Sequence, residues 1–173
     1  MTSQSINNIQ ELLQLLTKDS KGYYIEQKSI SSKEEIDGHT IYSKFKYYNK
    51  EITQTLLKQH LSKEINIALS LKNYSAVAYD YSGNNKEAFA SLISYFFKQE
   101  GFNDIFITTL DNNKLTLYIS LNLDNKEQFT KLINKIEKNL QDRLPKEWRV
   151  LPNFLRPDIG NLLQLPREFL RYE

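Results

Sequence analysis

A chain of 173 residues with 40% hydrophobic and 25% charged composition has material for one ordinary core, so a single domain over 1–173 is expected. Its formal net charge of +2 gives no global commitment to nucleic acid or membrane, and the lack of cysteine removes disulfides, thiolate metal sites and thiol nucleophiles. The first residues have no signal-like charged and apolar regions, and no run of about 18 apolar residues is present to span a bilayer, so a cytoplasmic protein without membrane contact is expected.

Ile6, Ile9, Leu12, Leu13 and Leu16 recur at helical spacing behind Ser5, which predicts an amphipathic helix over 6–17. Its polar face carries none of the cations of a membrane-surface helix, so the stripe is expected to pack on the domain or on a partner.

Two tyrosine-rich segments follow, Tyr23 to Ile30 and Thr40 to Tyr48, with Asp37-Gly38 as the turn signal between them. An antiparallel pair is expected. At period two the second segment sets Tyr42, Lys44, Lys46 and Tyr48 on one face. Rings that stack on bases beside ammonium groups that meet phosphates would suit a single-stranded nucleic acid. The plainer reading is a solvated sheet face whose tyrosines pair across strands.

Residues 52–72 read as the longest helix, with Ile52, Leu56, Leu57, Leu61, Ile65, Ala68 and Leu69 as its apolar band. His60 sits on that band with Glu64 one turn on, a spacing that can place two ligands on one metal. The segment offers no further histidine and no aspartate, so a hydrogen-bonded histidine at the edge of the core is the competing reading, and no metal is assigned.

From Tyr74 to Pro152 the chain alternates as β-α-β-β-α-β. A strand over 74–81 leads through Ser82-Gly83 to a helix with Phe89, Leu92, Ile93, Phe96 and Phe97 inside, Asn84 and Glu87 reading as its capping box and Gly101 as its C-terminal stop. Strands over 102–110 and 115–121 flank the hairpin signal Asp111-Asn112-Asn113. A helix over 126–140 follows, then Pro145 and a last strand over 148–151. This order predicts an α+β fold with a ferredoxin-like, RRM-like unit at 74–152, after a helix, hairpin and long helix in 1–73. Leu115, Leu117, Ile119 and Leu121 should face the helices, leaving Thr116, Tyr118 and Ser120 on the far face, where one tyrosine is modest for an RNA-recognition sheet. The segment before 74 is expected to cover that face.

All five arginines, Arg143, Arg149, Arg156, Arg167 and Arg171, fall late in a chain that otherwise uses lysine. Guanidinium forks bind carboxylate or phosphate in pairs of hydrogen bonds, so they either tie the tail to acidic residues or form a phosphate patch. The tail at 153–173 is too apolar for a free linker and is expected to pack on a sheet or on a second subunit.

The runs Asp80-Tyr81-Ser82-Gly83-Asn84, Glu100-Gly101-Phe102, Leu144-Pro145-Lys146-Glu147-Trp148-Arg149 and Asn161-Leu162-Leu163-Gln164-Leu165-Pro166 resemble a domain family of small epsilon-proteobacterial proteins that has no established activity. The resemblance extends back to Tyr42 and covers most of the chain. More distantly, the chain is similar to the catalytic domain of archaeo-eukaryotic-type primases, which implies an RRM-like unit with an Asp-x-Asp pair on a strand and a histidine on the hairpin. The matching stretch here is Ala78-Tyr79-Asp80 and the histidine position is Thr116, so the implied metal site is half absent.

Three readings follow. The first is a non-catalytic, degenerate primase-like domain that binds nucleic acid or nucleotide through Tyr42, Lys44, Lys46, Tyr48, Tyr118, Arg149 and Arg156, with no cofactor. The second is a structural or protein-interaction module using the apolar tail. The third is a metal-dependent nucleotidyl transferase built on the polar candidates His60, Glu64 and Asp80.

Overall fold

The structure, a computed structural model, describes residues 9–14, 22–71, 74–109, 114–121 and 123–169. In chain order the first elements are α1 (residues 9–14), β1 (Tyr23–Glu26), β2 (Ser32–Ile36), β3 (His39–Ser43), β4 (Phe45–Tyr48), α2 (Gln54–Leu61) and β5 (Ile67–Ser70). Then come β6 (Ala76–Tyr81), α3 (Lys86–Gln99), β7 (Ile105–Thr109), β8 (Leu115–Ser120), α4 (Lys126–Gln141), β9 (Trp148–Leu151), a 3-10 turn (Asp158–Gly160), β10 (Leu162–Gln164) and β11 (Glu168–Phe169). The class is α+β. The chain divides into two compact units, Met1–Lys72 with Pro152–Arg167, and Asn73–Leu151 with Glu168–Glu173.

The first unit is a four-stranded sheet in the order β10-β5-β1-β4, with β2 and β3 as a separate two-stranded ribbon. Ile9, Leu12 and Leu13 of α1 are buried, as the stripe predicts; Ser5 and the outer turns of that helix lie outside the described residues. The turn is where the sequence puts it, with Asp37 at φ 50° and Gly38 at φ 77°, the left-handed pair that a two-residue hairpin loop needs. The tyrosine segments, however, do not form one continuous pair. β1 pairs with β4 and β2 with β3, and Lys44 alone stands opposite residues 27–31, which bow out between Glu26 and Ser32. The Ser43 hydroxyl accepts the Phe45 amide at this break.

The long helix expected over 52–72 is two elements. Thr53 caps α2 through its hydroxyl, Lys63 takes φ 67°, and the chain returns as β5. Ile67, Ala68 and Leu69 are all buried because β5 lies between β1 and β10 inside the sheet. A strand buried on both faces gives a continuous apolar run, and that run lacks the alternation that separates strand from helix.

In the second unit the five-stranded sheet runs β11-β7-β8-β6-β9, all pairs antiparallel. Register places Val77, Tyr79 and Tyr81 beside Ile119, Leu117 and Leu115 on one face. Tyr79 meets Phe89 and Phe97 of α3, and Tyr81 stacks on Phe89 at 4.2 Å. Phe129, Ile133, Ile136 and Leu140 form the buried stripe of α4. Helix α3 ends as predicted: Gly101 sits at φ 91°, the Phe102 amide donates to Phe97 O and the Gly101 amide to Lys98 O, and the Phe97 and Phe102 rings touch. Its start differs. The N-cap is Asn85 rather than Asn84, with no side-chain capping bond, and the Tyr81 hydroxyl accepts the Asn85 amide instead. The hairpin turn at 111–113 lies outside the described residues, although Thr109 and Leu115 face each other across it.

The tail packs into sheets, as its composition predicts. β10 pairs with β5 and β11 with β7, so it adds an edge strand to each sheet.

Candidate functional site

The aromatic-cationic stripe lies in the first unit. Tyr42 on β3 is 59% exposed, and Lys44 and Lys46 are exposed beside it in sequence. Tyr48 is different. It stands directly across from Tyr23, and the two rings stack at 5.6 Å and 11°, with Lys46 Nζ 5.8 Å from the Tyr48 centroid. Tyr47 and Tyr24 make a second cross-strand pair at 5.1 Å. Burial, with Asp158, Tyr47 and Glu34 nearby, pushes the Tyr24 hydroxyl up to about 12. One of the two rings of the stripe is therefore spent on a cross-strand ring pair. Tyr42, Lys44 and Lys46 face solvent.

His60 and Glu64 do not form a ligand pair. The His60 ring is fully buried, with Nε2 donating to Leu165 O at 3.0 Å and Nδ1 accepting the Ile67 amide at 3.2 Å. The Ile67 amide can only donate, so Nδ1 must carry the lone pair and Nε2 the proton. Burial and the Arg167 guanidinium hold the ring's pKa below its ordinary value. Glu64 is exposed and accepts the Ser62 hydroxyl at 2.8 Å.

Two of the sequence runs quoted above meet at one end of the second sheet. Asp80 has Thr116 on one side and Arg149 on the other. Thr116 donates to Asp80 Oδ1 at 3.2 Å and Arg149 Nε to Asp80 Oδ2 at 2.8 Å. One residue on, the Tyr81 hydroxyl donates to Glu147 Oε2 at 3.1 Å, and Glu147 O accepts the Ser82 amide at 3.0 Å. The Glu147 carboxylate and the Tyr81 hydroxyl both lie where a Cβ on residue 83 would be, which accounts for Gly83. Burial raises the Tyr81 pKa, and Glu147 adds to it.

Tyr118 is 1% exposed, so it offers no ring to a base; burial, then the Asp80 charge, drives its hydroxyl pKa well up. Thr108, Thr116, Ala78 and Leu151 on the same face are buried too. At these positions the face that the alternation leaves bare is buried.

Three of the arginines make internal contacts, and Arg171 lies outside the described residues. Arg143 lies over the Phe96 ring at 5.0 Å and donates to Asn139 O, and Arg149 holds Asp80. Arg167 Nε donates to His60 O at 3.1 Å and its terminal nitrogen to Asn66 Oδ1, while Asn66 donates to Glu26. Arg156 is exposed in a loop organised by Asn161. That asparagine is fully buried, donates to Asn153 O, Arg156 O and Pro157 O, and accepts the Asn153 amide. Sequence reasoning quotes Tyr81, Gly83, Glu147 and Asn161 only as parts of motifs. Their roles depend on contacts across strands and loops that local pattern does not encode.

An open groove of about 830 Å³ in the first unit is lined by Gln10, Leu13 and Gln14 of α1, Gly22, residues 49–52, Gln54 and Leu57. Among the described residues, no group of three or more His, Asp or Glu side chains could hold a metal ion, and no helix is long and apolar enough to cross a membrane.

A family profile described as a domain of unknown function (DUF1882) matches residues 9–77. The match begins at α1, takes in the ribbon, α2 and β5, and ends at the second residue of β6. No curated protein is significantly similar to the chain.

Proposed function

We propose that the protein is a non-catalytic binding domain that engages single-stranded nucleic acid through Tyr42, Lys44 and Lys46. The observation that carries this reading is the exposure of an aromatic ring and two ammonium groups within five residues, while Tyr48, Tyr118 and Arg149 are held by partners or buried. A ring of this kind stacks on any base, and the lysines meet the backbone phosphates. The order β6-α3-β7-β8-α4-β9 supports the remote likeness to a ferredoxin-like, primase-like scaffold. The occupation of both Asp80 oxygens by Thr116 and Arg149 supports a scaffold without the chemistry. A cytoplasmic location belongs to the same proposal. The alternative, a tail-borne protein interface, has less support, because Leu163, Leu165 and Pro166 are buried and the described tail leaves Leu155, 81% exposed, as its one exposed large hydrophobic side chain.

Fluorescence anisotropy with labelled oligo-dT and oligo-U at roughly 50 and 200 mM salt tests the proposal. Affinity is expected to fall with salt, to drop about tenfold in Tyr42→Ala, and to lose part of its salt slope in Lys44→Ala/Lys46→Ala. Binding that ignores salt, or that survives all three substitutions unchanged, overturns it.

A further inference from the structure

We infer that His60 is an acid-sensitive latch: a second proton on its ring releases strand β10 from β5. A neutral imidazole has one donor and one acceptor, and in this protein both are committed to backbone groups far apart in sequence. Nε2 donates to Leu165 O in the tail, and Nδ1 accepts the amide of Ile67, the first residue of β5. Protonation at Nδ1 sets an N–H against the Ile67 N–H, and the ring is fully buried, so water cannot take either hydrogen.

The charges around the ring make the second proton harder to hold. Arg167, arriving from the tail, donates to the His60 backbone carbonyl and to Asn66. The carboxylate nearest along this chain of contacts is Glu26 of β1, which is engaged by Asn66. On the side of α2, Lys58 is exposed and Glu64 is turned to Ser62. Burial first, then the Arg167 charge, lowers the ring's pKa, and its bond to the Leu165 carbonyl opposes this. The unfolded ring takes a proton near about pH 6.5. The folded ring resists it, so the stabilisation is complete above that pH and is lost as pH falls from there toward the lower folded value.

The element that yields is the smallest one tied to the ring. β10 is three residues long, paired Leu162 to Ser70, Leu163 to Leu69 and Gln164 to Ala68, and it is followed by the Leu165 amide on Ile67 O at 2.8 Å. An edge strand of this length opens locally at far lower cost than the whole unit.

Amide hydrogen exchange on the full chain at about pH 7.5 and about pH 5, corrected for intrinsic rates, tests the latch. Protection over 162–165 is expected to fall by at least ~tenfold at the lower pH while Leu117 and Ile119 of β8 keep theirs, and His60→Gln is expected to remove the difference. Should that variant fail to fold, the wild-type ring resonances supply the decision, because loss of protection must share a midpoint with the His60 titration. Unchanged protection at the lower pH, a fall with a different midpoint, or an equal fall in His60→Gln sinks the inference.

Discussion

Arg149 stands directly across the β6–β9 pair from Asp80, and its Nε donates to Asp80 Oδ2 at 2.8 Å. The Thr116 hydroxyl, from the strand on the other side, takes the remaining oxygen at 3.2 Å. The Asp80 side chain is 11% exposed and that of Arg149 52%, so Arg149→Ala strips a half-solvated partner from a nearly buried carboxylate. The expected loss is on the order of 1 kcal/mol, well short of the several for a fully buried pair. Urea melts check it, and Asp80→Asn, which keeps an acceptor in place, should lose less. Millimolar Mg2+ or Mn2+ is expected to leave the wild-type Tm unchanged. A metal-dependent rise in Tm that disappears in Asp80→Asn would restore Asp80 to a ligand role.

Gly83 gives a sharper expectation. A methyl group there overlaps the Glu147 carboxylate and the Tyr81 hydroxyl together. The carboxylate is the end of a flexible side chain and can swing away; the hydroxyl belongs to a ring stacked on Phe89 and cannot. Gly83→Ala should therefore cost about 1–3 kcal/mol. Adding Glu147→Ala should recover only part of it, and a full recovery would show that Tyr81 is not the obstacle.

Tyr79 points the other way. Its hydroxyl is buried with no hydrogen-bond partner among the described residues, in a ring packed by Phe89 and Phe97. Burial drives its pKa far up, with the nearby Glu137 charge adding to it. Tyr79→Phe keeps both ring contacts and removes the orphaned group, so it should stabilise the fold by roughly 1 kcal/mol, read as a higher urea midpoint. A loss of stability would mean that the hydroxyl has a partner, such as a buried water.

Features fixed by a few neighbouring residues were legible in the sequence. The stop at Gly101 needs only a left-handed glycine and an apolar residue after it, and the Asp37-Gly38 turn needs only two residues tolerant of positive φ. The inward face of β8 followed from strict alternation. Where burial is set by distant chain, the pattern misleads. Ile67 to Leu69 carry a helix-compatible apolar run because β10 closes over their open edge, and Tyr118 reads as a surface ring although it is 1% exposed. The partner of Asp80 lies 69 positions along the chain, and no local signal ties the two. At Asn85 a tyrosine hydroxyl from the preceding strand takes the place of the expected capping box.

The bond from His60 to Leu165 joins residues 105 positions apart, and it sets an order on synthesis. A ribosome delivers β6 through β9 as one uninterrupted run, while the sheet begun earlier still lacks β10. The unit started first thus keeps an open edge until after β6 to β9 of the second have been delivered. Until β10 leaves the ribosome, β5 stands as an apolar edge open to wrong pairing, so a nascent chain stalled after β9 should be the form that most needs a chaperone.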